Sequence, residues 1–435
     1  MAVADDLWIW VSVGECGDRG RLSHDNRKIY QTMKKGLREL TAYHEQSKPA
    51  ASIVVFEASV ISGDCAEALQ TLGLSVTPVA LNEDNVMALM SMRPDYVLTI
   101  NFNQYISEVC ELLRIPYLAW VIDTPCYPIY DKAINHSHSF TFIYDASVAR
   151  GLRQSGVRQV YHLPVAANLE RIDQIDCLPQ DSSFGNDISF VANLTRTEYR
   201  TSMLPHLSPQ TGERCQRLID LLDQPEGFLN LSAQLGEELI GTIKQESSYP
   251  LVGDHYLSVA QKLAYLLGRE HSWQERIDVI QQLEERFRVA VYGNNEWQAQ
   301  VRSYVGHADH FAEMPGIFQR SKINLNIIRS FVESGLPMRV FDVLSCGGFL
   351  VSNDKDDLHK LFTDGKDLVI YRDTQDLIEI CGYYLEHDEE RRAIARHGRA
   401  TLAQNHTFVQ RMSDMLSTVQ SELRGEPGAF SRWYH

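Results

Sequence analysis

The sequence has little of what marks several classes of protein. Lys and Arg number 41 against 57 Asp and Glu, so the formal net charge is −16. This negative charge opposes contact with the phosphate backbone of nucleic acids, and we expect no nucleic-acid partner. The eight cysteines are scattered and include no Cys-x-x-Cys pair, which disfavours a zinc site and a disulfide framework. We therefore expect reduced thiols that serve mostly as packing residues, in a cytoplasmic protein.

Long apolar runs and several short motifs are also missing. The longest early apolar run, residues 7–13, is about as long as a strand and lacks the basic start and cleavage site of a signal peptide. No stretch reaches the ~20 apolar residues of a transmembrane helix, so membrane association is expected to be at most peripheral. The sequence contains no Gly-x-Ser-x-Gly elbow, no Gly-x-Gly-x-x-Gly after its first predicted strand and no short internal repeat.

The 435 residues are enough for two or three domains. The first part alternates β-rich runs with helical patterns, which predicts βαβ units, a parallel sheet and a Rossmann-like domain. The predicted strands are 7–13, 52–56, 75–80, 96–101, 117–122, 139–144 and 159–163. The predicted helices are 24–43, 65–72, 84–92, 104–113 and 146–154.

A second sheet is predicted after the polar stretch 176–186. Residues 198–286 are rich in Leu, Gln and Glu at helical spacing and contain no convincing strand, which predicts a helical insertion. The alternation of strands and helices resumes at residue 287. The predicted strands of this part are 187–192, 288–292, 322–327, 348–352 and 368–371, with a helix at 338–345 and mostly helix from 374 to 423.

The most informative segment, residues 324–353, has the pattern of a strand, a loop, a helix that closes at Gly347-Gly348 and a further strand. The free N–H groups and the dipole at the start of such a helix can hold a diphosphate, and Arg339 in the first turn adds a full charge. Asp342, one turn later, is placed to accept hydrogen bonds from ribose hydroxyls. A plain βαβ unit with a glycine C-cap, a surface arginine and a solvated aspartate explains the same residues equally well.

Together with residues 367–371 and 406–411, this segment resembles the C-terminal domain of CgeB-like glycosyltransferases. Those enzymes carry an Arg-x-Phe-(Asp/Glu) helix followed by a Cys-Gly-Gly or similar turn, and this chain has Arg339-Val-Phe-Asp342 and Cys346-Gly-Gly348. In the first half, residues 94–98, 115–125 and 162–168 are similar to the N-terminal domain found with that family. The resemblance runs from about residue 90 to 412 and is interrupted by the helical insertion.

The resemblance implies an α/β fold of GT-B architecture, in which two Rossmann-like domains face each other across a cleft. We place the N-terminal, acceptor-side domain at 1–175 and the nucleotide-sugar domain at 187–405, with its insertion at about 198–286. Residues 406–435 form a C-terminal helix that is a candidate for packing back on the first domain. The implied function is transfer of a sugar from a nucleotide-sugar donor to a glycan, protein or other acceptor, without a further cofactor. Two alternatives share the architecture: a catalytically inactive nucleotide-sugar-binding protein and a sugar-nucleotide 2-epimerase.

The candidate residues fall into two groups. Donor-side candidates lie at strand ends and around the helix at 338–345: Gly293, Asn326, Arg339, Asp342, Gly347 and Gly348. Candidates for catalysis are Arg339, which would neutralise the leaving nucleotide, and Asp123 or His24, either of which would act as general base in an inverting route. Tight turns and an Asp that caps the turn at 124–125 explain the glycines and Asp123 equally well.

Two further patterns bear on the chemistry. Retaining GT-B enzymes often carry a Glu-x7-Glu pattern, but the position eight before Asp342 is Ser334, with Glu333 one step away, so retention is not supported. The acidic cluster Asp354, Asp356 and Asp357 follows a predicted strand and is interpreted as a helix cap rather than a metal site. No metal is predicted.

Overall fold

The computed structural model describes residues 51–174, 186–224 and 227–425. The predicted strand at 7–13, the predicted helix at 24–43 and the candidate base His24 lie outside these residues. Within them, twelve strands form two parallel sheets of six strands each. This confirms the predicted α/β fold with two Rossmann-like sheets.

The first sheet has the order β2-β1-β3-β4-β5-β6. Strands β4 and β5 are buried along their whole length because helices cover both faces of a parallel sheet. The strands are β1 (Ser52–Glu57), β2 (Ser75–Ala80), β3 (Tyr96–Ile100), β4 (Tyr117–Val121), β5 (Ser139–Ile143) and β6 (Val160–His162). The connecting helices are α1 (Ser62–Thr71), α2 (Glu83–Met92), α3 (Gln104–Leu113), α4 (Ala146–Gln154) and α5 (Leu169–Gln174). Short 3₁₀ helices at Tyr127–Tyr130 and Lys132–Asn135 precede β5.

Side-chain caps fix where several of these helices begin. The side chains of Asn82, Asn103 and Asp145 accept backbone N–H bonds in the first turns of α2, α3 and α4. Each cap satisfies a donor that the helix itself leaves unpaired. Because each of these helices follows a strand of the parallel sheet, it begins at the carboxyl edge of that sheet.

The second sheet has the order β12-β11-β10-β7-β8-β9. The strands are β7 (Asn186–Val191), β8 (Val289–Tyr292), β9 (Tyr304–Gly306), β10 (Ser321–Asn326), β11 (Leu350–Asn353) and β12 (Val369–Tyr371). Strand β9 was not predicted. The order reverses between the neighbours β7 and β10, and in open α/β sheets ligands bind beside such a switch point, at the carboxyl ends of the strands.

A helical insertion separates β7 from β8. It contains a π-helical turn (Tyr199–Met203), 3₁₀ turns (Leu204–His206 and Leu221–Asp223), and helices α6 (Pro209–Asp220), α7 (Gly227–Gln234), α8 (Glu237–Ser247) and α9 (Val259–Glu284). The first half of α9 packs in the insertion's own core, through residues such as Leu263 and Leu267. Its second half packs in the core of the second sheet, through Ile277 and Ile280. Helix α9 thus ties the insertion rigidly to the second sheet.

The remaining elements complete the second domain and return to the first. They are a 3₁₀ turn (Asn295–Ala299) and helices α10 (Met314–Arg320), α11 (Met338–Ser345), α12 (Asp356–Leu361), α13 (Thr374–Glu386), α14 (Asp388–Asn405) and α15 (Phe408–Leu423). Helix α15 packs on α1, and the buried Arg411 donates from Nε to the carbonyl of Pro164 at 2.8 Å. In the part of the chain described, no helix is long and apolar enough to cross a membrane.

Candidate active site between the two sheets

The carboxyl edges of the two sheets face each other at Gly335, in the loop between β10 and α11. A Cβ atom on Gly335 would lie 2.8 Å from Cε2 of Tyr144 and 2.9 Å from Cα of Asp145, both at the end of β5. Only a residue without a side chain permits this approach of the two domains. The buried carboxylate of Asp145 also accepts N–H bonds from Glu333 (2.9 Å) and Ser334 (3.1 Å) of the same loop.

Asp357, which the sequence analysis interprets as part of a helix cap, contributes to this contact between the domains. The N-cap of α12 is Lys355, without a side-chain cap bond, and Asp357 lies buried in the first turn. Its Oδ2 lies 3.1 Å from Oγ of Ser334, and its Oδ1 accepts from Nζ of Lys360 at 2.8 Å. The interpretation of this cluster as helix caps was therefore wrong for Asp357, because its carboxylate serves the contact between the domains.

Three arginines converge at the switch point of the second sheet. Arg276, from the middle of α9, donates to the carbonyl of Ile327 (2.9 Å) and lies 3.4 Å from that of Asn193, so it bridges the loops that follow β10 and β7. Its guanidinium carbon lies 5.8 Å from the ring centroid of Phe190 on β7, and that of Arg339 lies 5.7 Å from the same centroid. The third, Arg329, stands three residues after the end of β10, and its charge is close enough to lower the pKa of both Arg276 and Arg339.

The arginine cluster (Arg276, Arg329 and Arg339) has negative charges nearby, because Glu275, Asp123 and Asp342 respectively oppose the lowering of the three pKa values by burial. In the described residues none of the three forms an ion pair with a carboxylate, and Nε of the buried Arg276 has no hydrogen-bond partner. Burial, followed by repulsion from Arg329, lowers the pKa of Arg339 to about 10, which still leaves it charged at neutral pH. Burial and the other two arginines lower the pKa of Arg276 in the same way. Such a site favours a ligand that carries more than one negative charge.

Asn326 holds Arg339 in place. It is fully buried at the end of β10, accepts from Arg339 at 3.1 Å through Oδ1, and donates from Nδ2 to Oγ of Ser352 at 2.9 Å. Because both its amide oxygen and its amide nitrogen are already hydrogen-bonded, Asn326 positions the side chain of Arg339. The predicted direct contact between Asn326 and a donor stays a prediction.

Asp342 lies one turn after Arg339 and faces different neighbours. Burial raises its pKa, and the positive groups that oppose this shift are His310 and Arg171 as well as Arg339. Arg171 belongs to α5 and is paired with Asp64 of the first domain at 3.1 Å. Asp342 therefore lies on the side of α11 that faces the first domain, while Arg339 lies on the sheet.

The predicted donor-side glycines have structural explanations. A Cβ on Gly293, at the end of β8, would lie 2.1 Å from the carbonyl oxygen of Ala192. Gly347, with φ of 69°, and Gly348 end α11 through N–H bonds to Leu344 and Val343. That end is about 12 Å from the start of the eight-residue helix, at the beginning of β11, because α11 runs back from the carboxyl edge. Gly347 and Gly348 therefore lie at the opposite end of α11 from Arg339.

Asp123 lies on the opposite wall, just after β4. Its exposed carboxylate accepts from Nδ2 of Asn101 at 2.6 Å, and Oδ1 of Asn101 accepts the backbone N–H of Ile122 at 3.1 Å. Asp123 is one of the groups whose negative charge favours the charged form of Arg329, so the carboxylate and the arginine cluster face each other across the cleft. Residues 51–174, 186–224 and 227–425 contain no group of three or more His, Cys, Asp or Glu that is arranged to hold a metal.

Comparison with known proteins supports a sugar-transfer function for the second half. Residues 260–417, about a third of the chain, match the family described as glycosyl transferase-like. This match includes α11, β11 and all three arginines of the cluster. No curated protein is significantly similar to the chain in sequence.

Several solved structures are similar to the chain at low identity. Anabaena HepE, in complex with UDP and glucose, is 13% identical, with 85% of this chain and 100% of that chain covered and a TM-score of 0.48. A glycosyltransferase from Rickettsia africae is 10% identical (87% and 100% covered, TM-score 0.48). A sucrose-phosphate synthase from Thermosynechococcus elongatus is also 10% identical (87% and 100% covered, TM-score 0.46). The chain's own two-sheet topology defines its fold, and the family match supports glycosyltransferase activity.

Proposed function

We propose that the protein is a glycosyltransferase whose nucleotide-sugar donor is bound, through its diphosphate, by the arginine cluster at the switch point. The observation that carries the proposal is the convergence of Arg276, Arg329 and Arg339, none of which forms an ion pair with a carboxylate of the described residues. The match of residues 260–417 to glycosyl transferase-like proteins supports it. We also propose that the protein is related to the CgeB-like glycosyltransferases, whose motifs its sequence resembles.

The proposed reaction is a displacement at the anomeric carbon of the donor. The bond from that carbon to the phosphate oxygen breaks, and an acceptor hydroxyl oxygen forms a new bond to the carbon. Arg339 and Arg329 stabilise the charge that develops on the departing nucleoside diphosphate. The hydroxyl proton passes to the carboxylate of Asp123, which Asn101 orients on the facing wall. Asp342 accepts hydrogen bonds from the ribose.

Titration calorimetry with UDP, GDP, ADP and TDP tests the donor site. We expect Arg339→Ala to weaken binding of the cognate nucleotide by about 1.5–3 kcal/mol, because a hydrogen bond to a charged group is lost. Asp342→Asn should weaken it less, because an amide still accepts one hydroxyl. The matched control is Arg158→Ala, since Arg158 is exposed near the amino edge of the first sheet, away from the cluster.

The same preparations distinguish the alternatives. Transfer to a sugar acceptor, or slow hydrolysis of the donor, supports the enzyme. Nucleotide binding without turnover supports an inactive binding protein, and conversion of the donor sugar without any acceptor supports a 2-epimerase. If both Arg339→Ala and Asp342→Asn bind the nucleotide with unchanged affinity, the donor does not bind at α11. If none of the four nucleotides binds, the proposal is refuted.

A further inference from the structure

A cavity of about 240 Å³ lies between the first domain and the helical insertion. Helix α4 forms one wall with Ser147 and Gly151, and α7 forms another with Leu229. Helix α9 contributes Gln261, and Glu333 closes the cavity from the loop before α11. Both domains and the insertion therefore build this cavity, which we call the insertion pocket.

Four aromatic residues line the insertion pocket, beside aliphatic ones. Tyr130, Phe228, Tyr256 and Tyr265 all line it. The rings of Phe228 and Tyr265 are tilted against each other with centroids 5.2 Å apart. The hydroxyls of Tyr130 and Tyr265 are 3.1 Å apart. Tyr130 and Tyr265 are themselves buried, so these contacts fix the part of each ring that borders the cavity, and a ligand would meet aromatic surface that is already ordered.

The polar residues that line the insertion pocket are mostly neutral donors and acceptors. They are three serines, three tyrosines, Gln261 and Glu333: Ser147, Ser155, Ser232, Tyr130, Tyr256 and Tyr265 supply the hydroxyls. Among the described residues no Lys or Arg lines the pocket, so these residues offer no positive charge to a phosphate or sulfate group. Aromatic faces combined with hydroxyls and amides match a pyranose ring, which presents C–H groups on its faces and hydroxyls at its edge.

Glu333 fits this chemistry. In the described residues its carboxyl has no hydrogen-bond or ion-pair partner. Burial, and after it the negative charge of Asp145, raises its pKa to about 7. At and below neutral pH a large share of this group is therefore protonated. A protonated carboxyl both donates and accepts a hydrogen bond, as a sugar hydroxyl requires.

The insertion pocket lies next to the proposed donor site. Glu333 is four residues after Arg329 in the same loop, so their Cα atoms are at most about 14 Å apart. The pocket's volume is below the ~300–1,000 Å³ of sites for drug-sized ligands, which favours one ring over a chain of several. A ring seated here would place the remainder of an acceptor glycan near the cleft.

We propose that the insertion pocket binds one neutral sugar ring of the acceptor. The proposal rests on the proposed function and assigns to the helical insertion the recognition of the acceptor. Gly151 offers a direct test, because a Cβ atom on it meets no atom within 4 Å and its helical φ suits any residue. Gly151→Phe should fill the pocket from α4 while leaving that helix intact.

Saturation-transfer NMR on the full chain measures binding of methyl glycosides of glucose, galactose, mannose and N-acetylglucosamine, with methyl glucosaminide as a cationic probe. We expect at least one neutral glycoside to bind, and its signal to disappear in Gly151→Phe. Gly151→Ala should keep the signal. So should Gly382→Phe, which adds the same ring in open space on α13. Leu229→Arg, at the exposed rim, is a second blocking variant if Gly151→Phe does not fold.

Nucleotide titration of the same variants separates this inference from the proposed function. Gly151→Phe should bind the cognate nucleotide and hydrolyse the donor as the unmodified protein does. The inference is overturned if no neutral glycoside binds, if only the glucosaminide binds, or if both blocking variants retain the glycoside signal. Glycoside binding without any nucleotide binding would instead leave the pocket assigned and refute the transferase.

Discussion

The carboxyl of Glu333 makes the stability of this protein depend on pH in a direction that can be worked out. Its pKa in the folded protein is about 7, against about 4.3 for an unperturbed glutamate. The folded state therefore favours the protonated group more than the unfolded state does. Its contribution to stability is fully present below the unfolded pKa and is lost as the pH rises through 7.

Each pH unit between these two pKa values corresponds to 1.36 kcal/mol. Raising the pH from 4.5 to 8 should therefore lower the free energy of unfolding by about 3 kcal/mol through Glu333 alone. Glu333→Gln carries a permanently neutral amide of the same shape and removes this term. We expect the variant to exceed the stability of the unmodified protein by about 1 kcal/mol at pH 5 and by about 3–4 kcal/mol at pH 8.

Urea unfolding at pH 5, 6, 7 and 8 measures the difference between the two proteins at each pH. Other titrating groups cancel in this difference as long as they are unaffected by the substitution. Glu285→Gln provides the control, because Glu285 is exposed at the end of α9 and has the same change in charge. A constant difference between Glu333→Gln and the unmodified protein across the four pH values would refute the reasoning on the buried carboxyl.

The contact between the two domains gives the remaining predictions. Gly335→Ala should lower the free energy of unfolding by about 1–3 kcal/mol, since the added methyl group overlaps Tyr144 and Asp145. The control is Gly382→Ala, in open space on α13, which should raise the free energy of unfolding by up to about 1 kcal/mol. Asp145→Asn should cost about 1.5–3 kcal/mol, because an amide cannot accept all the N–H bonds that this carboxylate accepts. Denaturant unfolding checks all three, and equal effects of the two alanine substitutions would contradict the packing argument.

The main strands were predictable because their sequence pattern reflects burial. Strands β4 and β5 are buried along their whole length and are rich in apolar and aromatic residues, although β5 also contains Ser139 and Thr141, and their predicted bounds agree with the structure within a residue. Strand β9 was missed because it has three residues at the sheet edge, where no face needs an apolar run. The helical insertion was recognised from its spacing, but its part in forming a pocket depends on tertiary contacts that spacing does not contain.

The candidate site was only partly predictable, for a similar reason. Arg339 was found because it stands in the first turn of a helix after a strand, a local pattern with a known chemical use. Arg276 stands in the middle of a 26-residue helix, 63 positions earlier in the chain, and nothing in its neighbourhood distinguishes it from a surface arginine. Gly347 and Gly348 show the converse, because a pattern associated with function also has a purely structural origin in the end of α11.

The proposed donor site is compatible with the protein's net charge of −16. At physiological ionic strength the surface carboxylates are screened beyond about 8 Å, so the affinity for a diphosphate depends on the groups nearest to it. In the free protein the three arginines repel one another and are partly desolvated, and both effects disfavour their charged forms. In the proposed complex, the negative charge of a diphosphate would offset the repulsion among the arginines and the loss of their hydration. Arg329 belongs to the loop that carries Ser334 and Gly335 into the first domain, so the proposed donor site and the contact between the two sheets share one loop.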